Sequence, residues 1–347
     1  MELRDREQKL RTWKQQYGDV RPPIAFDFKG KKLVVSGSRV HYANVDQWRF
    51  IPDFLMNYLP VTLGKEWGDA ELKKPFQEQH PIVQWRTKTL EYMGKQKKEE
   101  NGSYSAVASG FMAAFLSLAW DIYVVQDNGR LDSSLLERLK HKEQFQGARH
   151  ELFAEATCLR AGYSIVHENE KDGRTRHAEF SATHKETGQK ISVEAKSRHR
   201  PGVLGYPGVP KAEDKMSLRF GQLLNDAINK QPPYPLVVFI DTNLPASIAD
   251  RVYAPASINP FSPSRVINQL LEQTNKNHGG TDPCNLVVFT NHPHHYSKDE
   301  ELDPKSHNLS IMAQIPQKKP THPLSILKIH EAACLYGCVP NEFPQIK

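Results

Sequence analysis

The chain has 347 residues, enough for two domains or for one core with a substantial extension, and its 38% hydrophobic and 25% charged composition fits a globular protein. Formal net charge is +6, and residues 1–50 hold 11 Lys/Arg against 6 Asp/Glu, so nearly all of the surplus sits in that first stretch. Such a bias permits nucleic-acid binding without demanding it, and it excludes a histone-like polycation.

Four cysteines, Cys158, Cys284, Cys334 and Cys338, are too few and too scattered for a disulfide framework, and a reducing cytoplasm is the expected compartment. The opening MELRDREQKLRTWKQQYGD is charged throughout and has no apolar h-region, so a secretory signal is not expected. Residues 106–125, AVASGFMAAFLSLAWDIYVV, have transmembrane length but are rich in Ala, Ser and Gly and contain Asp121. They read as an enclosed core helix, and no membrane partner is expected. The chain has no P-loop, GxGxxG or GxSxG, which argues against ATP hydrolysis, dinucleotide chemistry and a serine hydrolase.

Along the chain, residues 24–43 alternate around a Gly-Lys-Lys turn and predict a β-hairpin. WRFIPDFLMNYL, then HPIVQWRTKTLEYMGKQKKEE and the 106–125 segment carry apolar residues at three- and four-residue intervals, which predicts helices. KQKKEENGS (95–103) reads as a frayed helix end and loop. After DNGRLDS (127–133), SSLLERLKHKEQF and ARHELFAEATCLRAG form a predicted helix pair. Two strands follow, HAEFSATH and ISVEAKS, then a helix over 212–231 and the short apolar run PLVVFIDTNL, suited to a buried strand. A further helix, SPSRVINQLLEQTNKN, precedes the strand NLVVFTNHP, with LSIMAQIP as an edge and PLSILKIHEAACLYGC as a packed tail helix. Three segments result: a mainly helical N-terminal region with a hairpin (1–131), an α/β domain (132–317) and a tail (318–347).

Chemistry concentrates between residues 149 and 198. In ISVEAKS, Glu194 and Lys196 share a strand face, and a hairpin partner places Glu179 beside them, because directly opposed residues lie roughly 4.5–5.5 Å apart. Two carboxylates and an ammonium then converge, with Glu151 on the preceding helix. A lone Glu-x-Lys usually marks a solvated strand face, and a lone helix Glu a surface acid favoured by the helix dipole. The combination carries the reading.

These residues resemble the PD-(D/E)xK superfamily of restriction-endonuclease-like nucleases, over about 50 residues for the motifs and about 145 with the downstream elements. The resemblance implies an αβββαβ core in which Glu151 is the helix carboxylate, Glu179 the strand-opening acid and Glu194-Ala195-Lys196 the (D/E)xK. GARHELFAEATCLRAGYSIV is also similar to the opening of archaeal Holliday-junction resolvases, which selects Glu151 over Glu155. The "PD" reads Ala178-Glu179 here, without the Pro and with an acid one methylene longer.

The expected catalytic residues are therefore Glu151, Glu179, Glu194 and Lys196. Mg²⁺ or Mn²⁺ would be held by Glu151, Glu179, Glu194 and the Ala195 carbonyl, since hard oxygen donors suit such ions. Phosphodiester hydrolysis needs charge neutralisation, an activated water and a stabilised leaving oxygen, which a bound divalent ion supplies. Lys196 would orient or help deprotonate the water. Arg198 and Arg200, with His199, are candidates for flanking phosphates, as are Lys215, Arg219 and Gln222 on the following helix; a solvated strand end and an ordinary surface helix are the alternatives. RPGVLGYPGVPK (200–211) reads either as a substrate-admitting loop or as a long connection. A zinc site at His292, His294 and His295 is disfavoured for want of a Cys pair or HExxH. His330, Cys334 and Cys338 lie on one helical stripe and read as part of the tail helix.

The expected activity is a metal-dependent nuclease, endonuclease or exonuclease, with DNA as partner because the resemblance implies it. The N-terminal region would supply substrate choice, or assembly as a homo-oligomer or with a protein partner. Alternatives are an inactive nuclease-like domain that binds nucleic acid or serves as a scaffold, and an RNA-cleaving member of the superfamily. Lys29, Lys31 and Lys32 at the Gly-Lys-Lys turn are the expected phosphate contacts of the basic N-terminal stretch, against the alternative of a solvated turn.

Overall fold

The computed structural model describes residues 2–100, 102–167, 178–209, 220–243, 284–295, 309–314 and 322–344, together with Glu272 and Lys276. Its fold is mixed α/β, with a three-stranded and a six-stranded sheet among the described residues.

The charged opening stretch is a helix, α1 (Glu2–Tyr17), anchored where Trp13 turns inward and donates its indole N–H to the Val20 carbonyl at 3.0 Å. In place of a two-stranded hairpin the next segment is a three-stranded antiparallel meander, β1 (Ile24–Phe28), β2 (Lys31–Ser36) and β3 (Arg39–Asn44). A second two-residue turn at Gly37-Ser38 divides the long arm, with Gly37 at φ 56°.

Helix α2 (Ile51–Leu63) starts where the Asp53 carboxylate accepts the Phe50 and Arg49 N–H groups at 2.9 and 3.1 Å. Pro60 inside α2 cannot donate to the Met56 carbonyl, and Arg86 Nε reaches that oxygen at 3.5 Å instead. Two more helices, α3 (Lys65–Leu72) and α4 (Pro81–Gly94), lead to α5 (Gly110–Asn128), capped by Ser109. Every residue from Ala114 to Val125 is buried, so α5 is the centre of the helical layer. No helix among the described residues is long and apolar enough to cross a membrane.

Asp132 caps α6 (Ser133–Lys140) by accepting the Ser134 and Leu135 N–H groups. The chain breaks at the extended His141, not near residue 147, so α7 (Lys142–Arg160) already contains Phe145. That side chain packs on Trp85 and His80. Leu135, Leu139, Phe145, Leu152 and Leu159 join the core of the N-terminal helices, which therefore continues across residue 131. The other face of α7, with Phe153, Ala154 and Cys158, lies on the large sheet. Gly162, at φ 86°, ends α7 in the left-handed conformation that glycine adopts without steric cost, and turns the chain directly into a strand.

The large sheet runs β4 (Tyr163–His167), β5 (Phe180–His184), β6 (Lys190–Ser197), β7 (Leu236–Asp241), β8 (Leu286–Asn291) and β9 (Leu309–Gln314), in that spatial order. The β4–β5 and β5–β6 pairs are antiparallel, β6–β7 and β7–β8 parallel, and β9 closes the edge antiparallel to β8. Strands β7 and β8 are buried throughout, as their unbroken apolar runs require. Ile191, Val193, Val237, Phe239 and Val288 face α7 and the tail helix α9 (Pro323–Cys334). Val238, Ile240, Val287 and Phe289 face α8 (Phe220–Ile228), which covers them with Leu224, Ala227 and Ile228. Residues 212–219 of the helix expected over 212–231 lie outside the described residues. So does the helix expected over 262–277, apart from Glu272 and Lys276, which are helical.

Candidate active site

Phe180 stands opposite Val193 in the β5–β6 ladder, and Glu179 donates its N–H to the Val193 carbonyl at 3.1 Å. Glu179 lies just before β5, and that bond sets it against Val193, next to Glu194. Side chains alternate along a strand, so Glu194 and Lys196 leave the sheet on the α8 face while Phe180 and Val193 enter the α7 face, and Glu179 reaches the same lysines as Glu194.

The three charges meet. Lys196 Nζ lies 2.9 Å from Glu194 Oε2 and 3.5 Å from Glu179 Oε1. A second ammonium, from Lys230 just beyond α8, lies 2.7 Å from Glu194 Oε1 and 3.7 Å from Glu179 Oε1. The Glu194 side chain is 0% exposed, whereas Lys196 and Lys230 are 20% and 26% exposed, so solvent reaches the cluster from the lysine side. Burial raises the Glu194 pKa, and the repulsion of Glu179 adds to it, against the two lysines. For Lys196 burial works toward the neutral form, but the Glu194 and Glu179 carboxylates outweigh it and the net shift is upward. Lys196 is held as an ammonium.

Glu151 stands apart from this ionic contact. It extends from α7 to α6, where Arg138 Nη2 donates to its Oε1 at 2.7 Å. Burial pushes its pKa up to about 7; Arg138 opposes the shift, and the carboxylates of Glu179 and Glu155 add to it. Its neighbour Glu155 is enclosed and accepts from His167 at 3.0 Å, which ties α7 to β4. Ala195 sits in the ladder opposite Phe239.

The proposed phosphate contacts separate. Arg198 donates to the Thr242 carbonyl at 3.4 Å and remains half-buried. Arg200 is turned inward, with its guanidinium on the Asn243 carbonyl and its backbone N–H on Gln146 Oε1 at 2.9 Å. It is part of a clamp from α7 to the ends of β6 and β7, which corrects its reading as a surface cation. Gln222 is exposed on α8; Lys215 and Arg219 lie outside the described residues. His292, His294 and His295 are buried in an aromatic seam, where His292 lies 4.0 Å from the Tyr336 ring and His295 stacks on Trp85.

Sequence reasoning missed Lys230 and Arg138. Lys230 falls eleven residues after Arg219, close to three helical turns, and so continues a face already read as polar. A lysine at a helix end is, however, what the helix dipole alone would favour, which hid it.

Among the described residues, no three His, Cys, Asp or Glu side chains are arranged to hold a metal ion as they stand. The Glu179–Glu194 pair nonetheless fits a divalent ion by its donors: two carboxylates already share single cations, and the Lys230 ammonium stands where such an ion would compete. No protein-family model, curated protein or solved structure matches the chain.

Proposed function

We propose that the chain is a metal-dependent nuclease hydrolysing phosphodiester bonds in DNA, built on a restriction-endonuclease-like core and working in the cytoplasm. The observation that carries this reading is the pair Glu179 and Glu194, brought together beside β5 and β6 and sharing the ammonium of Lys196. The succession of α7, β4, β5, β6, α8 and β7 supports it, since it follows the αβββαβ order that the sequence motifs imply.

In this reading Glu179, Glu194 and the Ala195 carbonyl would hold Mg²⁺ or Mn²⁺, while Glu151 stays with Arg138. The ion supplies charge neutralisation at the phosphate and lowers the cost of activating water. Lys196, kept charged by its two carboxylates, orients the attacking water and offsets charge on the scissile phosphate. Glu151, with a pKa of about 7, exchanges a proton near neutrality and suits general acid–base work. Lys230 neutralises the carboxylates and would have to give way for them to hold an ion.

A second reading is favoured by that same lysine. Two ammoniums against two carboxylates form a charge-balanced cluster, which suits a nuclease-like module that binds nucleic acid without cutting it. An RNA-cleaving activity is the third, because these residues address a phosphate and not a sugar. Incubation with plasmid, linear duplex, single-stranded DNA and RNA, in Mg²⁺, in Mn²⁺ and in chelator, separates the three. The proposal expects DNA cleavage that chelator abolishes; intact DNA in both metals, also with Lys230→Ala, overturns it.

A further inference from the structure

The register of the small sheet sorts its side chains into two faces. Ala25, Val34 and Ala43 pack toward the helical core. Lys32 shares that inner side and is held by Asp27 at 2.7 Å, which removes it from the expected phosphate contacts. The outer face carries Phe26, Leu33 and Tyr42 in one cross-strand row, Phe28, Lys31 and Asn44 in the next, and Ile24, Val35 and Val40 in the third. Phe26, Phe28 and Tyr42 are 47%, 56% and 72% exposed. Three aromatic rings lie open on one surface.

Cations border them. Lys29 at the β1–β2 turn places its Nζ 5.2 Å from the Phe28 ring centroid, and Lys31, between Phe28 and Asn44, is positioned by the Asn44 side chain at 2.8 Å. Lys29 adopts φ 47°, a conformation that Gly or Asn takes more cheaply, so the turn tolerates strain at a residue that brings a charge to the rings. Residues 1–50 also carry the chain's basic surplus.

We propose that this face is a stacking platform for single-stranded nucleic acid, with bases on Phe26, Phe28 and Tyr42 and phosphates on Lys29 and Lys31. Aromatic rings beside lysines match a polyanion whose flat bases are free to stack, and a duplex offers such faces only at its ends. A second copy of the chain is the weaker occupant, because Lys29 and Lys31 border the rings with positive charge that a second copy of the same face would repel. The proposal concerns a surface separate from the carboxylate cluster and holds whether or not that cluster cuts.

The test uses the full chain in chelator, so that binding is read without cleavage, with labelled oligo-dT and a labelled duplex as probes. Phe26→Ala with Tyr42→Ala is expected to weaken oligo-dT binding by roughly 5- to 150-fold for each ring lost and to affect the duplex far less. Lys29→Ala with Lys31→Ala should flatten the dependence of log K on log salt by about 0.7 for each lost phosphate contact. Tyr42→Trp should retain binding and report it by quenching of the new exposed indole, a readout independent of whether the double alanine variant folds. Unchanged oligo-dT affinity, equal losses on both probes or an unquenched Trp overturns the proposal. So does a dimer that Phe26→Ala with Tyr42→Ala converts to monomer at unchanged nucleic-acid affinity, which assigns the face to a second copy. Failure of the nuclease reading registers separately, as absent cleavage in Mg²⁺ by a protein that still binds oligo-dT.

Discussion

Two sets of buried charge among the described residues are built differently. Arg160–Asp121 and Arg149–Asp241 are ion pairs at 2.6 Å with side chains 1–3% exposed; the first joins α7 to α5 and the second joins α7 to the end of β7, where Asp241 also accepts from the Asn243 N–H and the Ser197 hydroxyl. Each bolts one layer to another. Glu179, Glu194, Lys196 and Lys230 form a two-on-two cluster in which every group has two partners and the lysines reach solvent. A pair closed off from solvent holds, because no ion or phosphate from outside reaches it. An open cluster can exchange one cation for another, which is what binding an ion or a phosphate demands.

That contrast breaks most visibly at Lys196. Lys196→Ala is expected to lower cleavage by about 10²–10⁴-fold, the usual worth of a residue handling the reacting water. Its cost in stability stays small, because Lys230 still pairs with Glu194 at 2.7 Å. Cleavage rates and urea midpoints measured on the same preparation check both halves, and full activity without Lys196 removes its assigned role.

Asp121→Ala should do the reverse. It strands the Arg160 guanidinium without its counter-charge, and breaking a buried pair on one side costs about 3–5 kcal/mol. Urea unfolding reads that loss, while the protein that remains folded should cleave at the native rate. A loss below about 1 kcal/mol would mean that solvent reaches Arg160 after all.

The smallest effect sharpens the comparison through Glu151. Its folded-state pKa of about 7 lies above the ordinary value of 4.5, so between those values the folded chain keeps a proton that the unfolded chain has lost. Stability is therefore lost as pH rises from about 4.5 to 7, by no more than about 1.4 kcal/mol per pH unit, and levels off above. Glu151→Gln abolishes this contribution. The difference in urea midpoint between variant and wild type should shift in the variant's favour across that range; a constant difference would show that Arg138 keeps Glu151 ionised throughout.

Much of the cluster is legible in the sequence because strands repeat every two residues. ISVEAKS alone puts Glu194 and Lys196 on one face, and HAEFSATH is near enough in sequence to bring Glu179 beside them. The same period places Lys31 and Lys32 on opposite faces, so grouping them by adjacency in the chain misjudged Lys32. Helix α1 escaped notice because little in it is apolar, and the burial of Trp13 gives it its place. Arg200 read as a surface cation because nothing near it in sequence announces Gln146 and Asn243.

What the sequence by itself determined is local: the strand faces, the caps at Ser109 and Asp132, the exit of α7 at Gly162 and the convergence of Glu179 with Glu194 and Lys196. Propensity, capping and the two-residue period act over a few positions, and they leave their mark in the order of residues. Only the tertiary structure decided that Lys230 joins the carboxylates, that Arg138 takes Glu151, and that Asp121 and Asp241 bind α7 from 39 and 92 residues away. Those partners meet because two faces of one sheet had to be covered, and the packing that covers them selects which distant charge comes to rest against which.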